Sequence, residues 1–122
     1  MPPAVRALRG ATTVDADTPE QVRERVVALL SELMARNGVV EDDLISVLFT
    51  ATADVRSMFP AEAARAVGFG AVPLLCAQEL DVDGGKPRCI RVLIHLTTER
   101  ARDELEHVYL EGAVDLRLDL AQ

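Results

Sequence analysis

The stretch VPLLCAQELDVDGGKPRCIRVLIHL, Val72 to Leu96, decides the architecture. Two apolar runs, Val72 to Leu80 and Cys89 to Leu96, read as strands, and Asp83-Gly84-Gly85-Lys86-Pro87 between them is a turn signal. Together they predict a β-hairpin. Upstream, Leu44 to Thr50 is β-rich and nearly all apolar, as expected of a strand buried on both faces. A short helix is predicted from Pro60 to Val67, opened by Pro60 and closed by Gly68. Further out, Thr18-Pro19-Glu20-Gln21 combines an N-cap, a proline at the first helical position and the fourth member of a capping box. Val22, Val26, Leu29, Leu30 and Leu33 follow at helical spacing, and Asn37-Gly38 supplies a left-handed stop. Ala4 to Thr12 reads as the first strand. Asp103 to Leu116 fits either a strand through Val108-Tyr109-Leu110 with a helical turn after it, or one broken helix. The order is strand, helix, strand, helix, strand, strand, strand. It defines an α+β fold: a mixed β-sheet with helices packed on one face, in a single domain over residues 1–122. A sheet covered on one face must hide the other, which suggests an oligomer.

Composition narrows the partners. A net charge of -7, from 20 acidic and 13 basic residues, excludes nucleic acid and anionic membrane as the main partner, because no basic block exists to hold phosphates. No apolar run approaches the ~20 residues needed to span a bilayer. The start, Met1-Pro2-Pro3-Ala4-Val5-Arg6, lacks the pattern of a signal peptide, so the expected location is cytoplasmic. Cys76 and Cys89 form no C-x-x-C pair and are expected as reduced thiols. The aromatics are Phe49, Phe59, Phe69 and Tyr109, too few for a base-stacking platform.

Five polar residues stand inside the apolar stretches: Arg9, Cys76, Glu79, Arg91 and Tyr109. A guanidinium on an inward strand face costs several kcal/mol of desolvation unless an anion meets it. Arg9 and Arg91 outnumber the one nearby carboxylate, Glu79, and the unmatched charge suits a small anionic ligand. A purely structural account stays open for each residue. Arg91 could pair with Glu79 across the hairpin, Cys76 could be a small core residue, and Tyr109 could be a core residue with a satisfied hydroxyl. Asp81-Val82-Asp83-Gly84-Gly85 lacks the later bidentate Glu of a calcium loop. Gly68-Phe69-Gly70 follows a helix and is no dinucleotide fingerprint.

In this order, these segments resemble the small monofunctional chorismate mutases of the trimeric, pseudo-α/β-barrel class, from about Val5 to Asp119. The resemblance implies an isomerase that converts chorismate to prephenate in phenylalanine and tyrosine biosynthesis, as a homotrimer with sites between subunits, without cofactor or metal. It implies that Arg91 lies at the breaking ether bond and that Arg9 and Tyr109 hold the enolpyruvyl carboxylate. Glu79 and Cys76 would meet the ring hydroxyl. Phe59 and Leu116 would wall the pocket, next to Leu75, with Arg65 and Arg117 near its mouth. Two positions depart from the family: Glu62 stands where relatives often carry lysine, and Leu75 where they often carry threonine. Other readings compatible with the residues are a non-catalytic trimeric sensor of a small carboxylate metabolite, a trimeric imine or enamine deaminase, and an assembly protein whose Arg–Glu pair fixes register.

Overall fold

In a computed structural model of the chain, residues 2–116 are described. Among them five strands form one sheet: β1 (Ala4–Thr13), β2 (Leu44–Ala51), β3 (Leu74–Gln78), β4 (Cys89–Thr98) and β5 (Val108–Tyr109). The helices are α1 (Pro19–Asn37) and α2 (Pro60–Ala64), the latter continuing as a π-turn over Arg65–Phe69. The strand order is β3-β2-β4-β1-β5. The pairs β1–β4 and β2–β4 are antiparallel, and β2–β3 and β1–β5 are parallel. The mixed sheet with helices on one face is therefore the observed class.

The predicted hairpin does not form. Turn and strands are present, with Gly84 in the left-handed region (φ 79°) and the Gly85 N–H donating to the Val82 carbonyl at 2.9 Å. However, β2 lies between β3 and β4. The crossover through α2 lays β3 parallel to β2, and the chain then passes the end of β2 to reach β4. A turn signal reports that the chain reverses, not which strand it reverses onto.

The helix signals do hold. The Thr18 hydroxyl accepts from the Gln21 N–H at 3.2 Å, Pro19 occupies the first turn, and Gly38 closes α1 at φ 60°. The capping box is not reciprocal: the Gln21 side-chain oxygen accepts from the Asp15 N–H and, at 2.9 Å, from the Ala16 N–H. Val22, Val26, Leu29, Leu30 and Leu33 are buried against Leu8, Phe49, Ile90, Val92, Ile94 and Leu96. At about 1.5–3 kcal/mol per buried aliphatic side chain, this layer is the principal stabilising contact. β2 departs from expectation: Val47 and Phe49 are buried under the helices, while Ile45 is exposed. Among the described residues no α-helix lies over the other face of the sheet, so only one side of β2 is covered by them.

Strand alternation sorts the two faces. One row across the covered face reads Cys76, Phe49, Val92, Gly10, Val108; the next row, on the open face, reads Ala77, Thr50, Arg91, Ala11, Tyr109. Gly10 lies directly beneath α1. A Cβ there would sit 2.9 Å from a Leu33 methyl, 3.1 Å from a Leu29 methyl and 3.1 Å from the Val108 carbonyl oxygen. The missing side chain lets helix and β5 approach β1 together. Gly10→Ala is expected to lower stability by roughly 1–3 kcal/mol through overpacking, measured by urea denaturation.

Candidate active site

Thr50, Arg91, Arg9 and Tyr109 line one cleft of about 240 Å³ on the open face, together with Leu48, Leu93 and the backbone of Gly10 and Val92. Register creates it: Arg91 stands between Thr50 of β2 and Ala11 of β1, and Ala11 in turn pairs with Tyr109. Ala11 itself is buried, packed with Cys89, Ala113, Tyr109 and Leu116, and does not line the cleft. Just past β3, the Glu79 N–H donates to the Ala51 carbonyl at 2.9 Å, which turns the side chain onto the open face. Glu79 Oε2 accepts from the Thr50 hydroxyl at 2.9 Å and pairs with Arg91 Nε at 3.2 Å. Side-chain exposures of 46% for Arg91 and 27% for Glu79 leave the pair half open to solvent in the single chain. Beside it, burial pushes the Cys89 thiol above its ordinary range, against the pull of the Arg91 charge, so the thiol stays neutral. The Arg9 N–H donates to His107 Nδ1 at 2.9 Å, a link between β1 and the entry to β5. Leu116 packs with Tyr109, Ala11, Cys89 and Ala113 at the end of this face.

A second cleft, of about 650 Å³, is lined by Ala51 to Ala53, Val55 to Pro60, Glu62 and Cys76 to Gln78. Phe59 is 67% exposed in it. Its floor loop, 52–59, is tied down by two aspartates. Asp17 accepts from the Arg56 N–H (3.0 Å), the Ser57 N–H (3.1 Å) and the Ser57 hydroxyl (2.7 Å). Asp54 accepts from the Thr52 hydroxyl at 2.5 Å and from the Arg88 N–H at 3.0 Å.

The residues expected at one site thus fall into two groups within the chain. Arg9, Glu79, Arg91, Tyr109 and Leu116 gather on the open face. Phe59 and Cys76 line the second cleft. The expectation that Cys76 joins Glu79 is not met in one chain. Cys76 pairs with Phe49 on the covered face and packs against the core, opposite in strand parity to Arg91. Leu75 is on the open face, 65% exposed, and Arg65 is exposed at the start of the π-turn; neither lines either of these two clefts. Arg117 lies outside the described residues. Thr50 went unread in the sequence, although a hydroxyl near the end of an apolar strand was the available signal. Arg56, a cation in the same cleft as Glu62, also went unread.

Fold and site together define a small α+β protein with a guanidinium-lined cleft on an uncovered sheet face, a class suited to binding a small anion. Comparison with known proteins carries the assignment further. Residues 5–120 match the family model described as chorismate mutase type I. The chorismate mutase AroH of Thermus thermophilus is 48% identical over 117 residues, covering 95% of this chain and 96% of that protein. AroH of Bacillus subtilis (strain 168) is 42% identical over 118 residues, covering 96% and 93%. The solved chorismate mutase from Clostridium thermocellum superposes with a TM-score of 0.87 at 44% identity, covering 88% of this chain and 96% of that one. The chain belongs to the chorismate mutase type I family, and its class of activity is that of an isomerase.

The 52–59 loop has a pH signature. The Ser57 hydroxyl, with the Arg56 and Ser57 N–H groups, holds Asp17 below the ordinary 3.8. At Asp54, burial pushes the carboxyl up, but the Thr52 hydroxyl and Arg88 N–H outweigh it and the net direction is down. A carboxylate depressed on folding adds stability above its unfolded value and loses it as pH falls through the folded value. The anchoring is therefore complete at neutral pH and lost only below 3.8. In NMR titrations, the Arg56 and Ser57 amide shifts should move together with a midpoint below that value. Asp17→Asn should displace both amides at pH 7.

Proposed function

We propose that this chain, a chorismate mutase, rearranges chorismate to prephenate by restraining the substrate in a compact geometry and presenting Arg91 to the ether oxygen as its C–O bond breaks. The reaction is unimolecular. One C–O bond breaks while one C–C bond forms, and no proton, nucleophile or leaving group is exchanged. Only two kinds of help are useful: holding the dianion in its reactive conformation, and meeting charge that separates on the way over the barrier. In the transition state the ether oxygen and enolpyruvyl fragment gain negative charge and the ring gains positive charge. A cation fixed at that oxygen favours the transition state over the bound substrate.

The observation that carries this reading is the composition of the open-face cleft, where two guanidiniums, Arg9 and Arg91, stand with one phenol. Glu79 engages Arg91 through Nε. That contact orients the planar fork without removing its charge, and guanidinium donors match carboxylate and ether oxygens in a way an ammonium does not. Glu79 adds a negative charge beside the ring, where positive charge develops, and an acceptor for the ring hydroxyl. Arg9 and Tyr109 grip the enolpyruvyl carboxylate, and Leu116 walls the cleft. With a net charge of -7, the protein can attract a dianion only through such local concentration of Arg. We assign Arg65 and Arg117 to capture at the mouth.

The working form proposed is a homotrimer of single-domain chains, with the open-face group of one copy facing the second cleft of its neighbour. The division of the residues into two groups supports this. So does the open face itself, where Leu75, Leu48 and Leu93 form an apolar row ending at Arg9. In that arrangement Phe59 and Cys76 complete a pocket that one chain leaves half built. The proposed compartment is the cytoplasm, where the unpaired thiols of Cys76 and Cys89 stay reduced.

The direct assay follows the loss of chorismate diene absorbance and the appearance of acid-convertible prephenate. Arg91→Ala is expected to lower turnover at least ~10²–10³-fold, the scale for deleting a preorganised donor. Arg91→Lys should fail nearly as badly, and turnover close to wild type in either variant would overturn the role assigned to Arg91. For the assembly, Arg91→Ala and Phe59→Ala chains, each impaired alone, should regain activity when unfolded together and refolded. Mixed trimers then contain some sites with both native halves. No recovery on mixing would reject the shared site.

A further inference from the structure

We propose that Arg25 is a positioning residue for Tyr109, acting from α1 through the turn that follows β5. As a statement about catalysis this rests on the reading of Tyr109 as a substrate-gripping residue.

β5 is two residues long and, among the described residues, pairs with β1 alone. So short an edge strand cannot fix the direction of an aromatic side chain by itself. The surrounding structure supplies the restraint, and it comes from α1 at both ends. Before β5, the Asn37 side chain donates to the Glu106 carbonyl at 2.9 Å and accepts from the Glu106 N–H at 2.7 Å. It thereby substitutes for a strand partner. After β5, Arg25 takes over. Its Nη1 donates to the Thr13 carbonyl at 2.5 Å and lies 3.6 Å from Glu111 Oε1, while Nη2 donates to Asp15 Oδ2 at 2.9 Å. The same Thr13 accepts the Gly112 N–H on its hydroxyl at 2.9 Å, and the Leu110 N–H donates to the Ala11 carbonyl at 2.9 Å.

Two features indicate that this turn is held rather than resting. Glu111 has φ 52°, a left-handed conformation that a residue with a Cβ adopts at a cost. Its carboxylate is the group facing Arg25, so the ion pair offsets the backbone strain. Gly112 is pressed so close that a Cβ would fall 2.7 Å from the Thr13 hydroxyl oxygen. Burial makes the same point. Among the described residues the buried polar side chains are Thr12, Thr13, Arg25 and Asn37. Three of these four hold the segment on either side of Tyr109. Arg25 is the charged one, with a side chain only 11% exposed. Burying a guanidinium is costly unless its donors are met. Here they are met by the end of β1 and by the turn, so helix, strand and turn share one anchor.

The chain contains one tyrosine and no tryptophan, so its tyrosine emission reports on Tyr109 alone. The experiment compares wild type with Arg25→Lys, Glu111→Gln and Tyr109→Phe in the assembled protein. Glu111 is half exposed, so Glu111→Gln tests the anchor even if Arg25→Lys folds poorly. Without substrate, acrylamide quenching of Tyr109 is expected to rise and its anisotropy to fall in both anchor variants. In turnover, both should raise KM several-fold with a smaller change in kcat, the signature of lost substrate binding. Placed on the Tyr109→Phe background, Arg25→Lys should add little further to KM. Unchanged quenching in both variants, whatever happens to the melting temperature, overturns the proposal. An undiminished KM effect on the Tyr109→Phe background does so too. If Tyr109→Phe alone leaves KM and kcat unchanged, the gripping role of Tyr109 fails, and the quenching data still decide whether Arg25 positions the ring.

Discussion

The site depends on the register between β1 and β4, in which Ala11 faces Arg91 over a ten-residue antiparallel pairing. Side chains in a strand alternate strictly, so a slip of one residue would drive the Arg91 guanidinium into the aliphatic layer beneath α1. The helix prevents that slip. Its apolar face accepts Leu8, Ile90, Val92 and Ile94 and finds Gly10 where any side chain would collide. Thus the contact that contributes most to folding also dictates which side of the sheet receives the charged residues. The main aliphatic core lies on one face, and the other carries the candidate site.

That division shapes the electrostatics. The Arg91–Glu79 pair is half open to water in the chain by itself, and an ion pair so solvated is worth little to stability. Its value lies in what happens on enclosure. In the proposed assembly, where a neighbouring surface and a ligand would displace water, the effective dielectric falls and the same charges interact several times more strongly. Glu79 also accepts from Thr50, so part of its acceptor capacity is met before any ligand arrives and the guanidinium does not have to search for its orientation.

Much of this could be read from the sequence because local rules agreed with the fold. The Thr18-Pro19 start, the aliphatic spacing from Val22 to Leu33 and the Gly38 stop all act within α1 and needed no knowledge of the rest. Strand existence was legible for the same reason. Pairing was not. Asp83 to Pro87 does turn, but insertion of β2 between β3 and β4 is set by packing over the whole sheet. The reach of Gln21 to the 15–16 backbone, in place of a closed capping box, likewise depends on how the preceding turn lies. The separation of Cys76 from Glu79 could have been anticipated, since residues three apart on a strand point to opposite faces. A family likeness lists site residues together without saying that they meet within one chain. Thr50 was missed because a threonine in a strand is ordinary, and only its register beside Arg91 makes it a partner for Glu79.

The parallel seam between β1 and β5 has a consequence for biogenesis. Gly10 pairs with Val108, and the Arg9 amide reaches His107 across a gap of 98 residues. A ribosome releases the first strand long before either of its sheet neighbours exists. At ~5–20 residues per second, that strand waits roughly 5–20 s for its last partner. Throughout that interval the backbone N–H and C=O groups along that edge are unpaired inside the cell, so the nascent chain has a window in which aggregation competes with completion of the sheet.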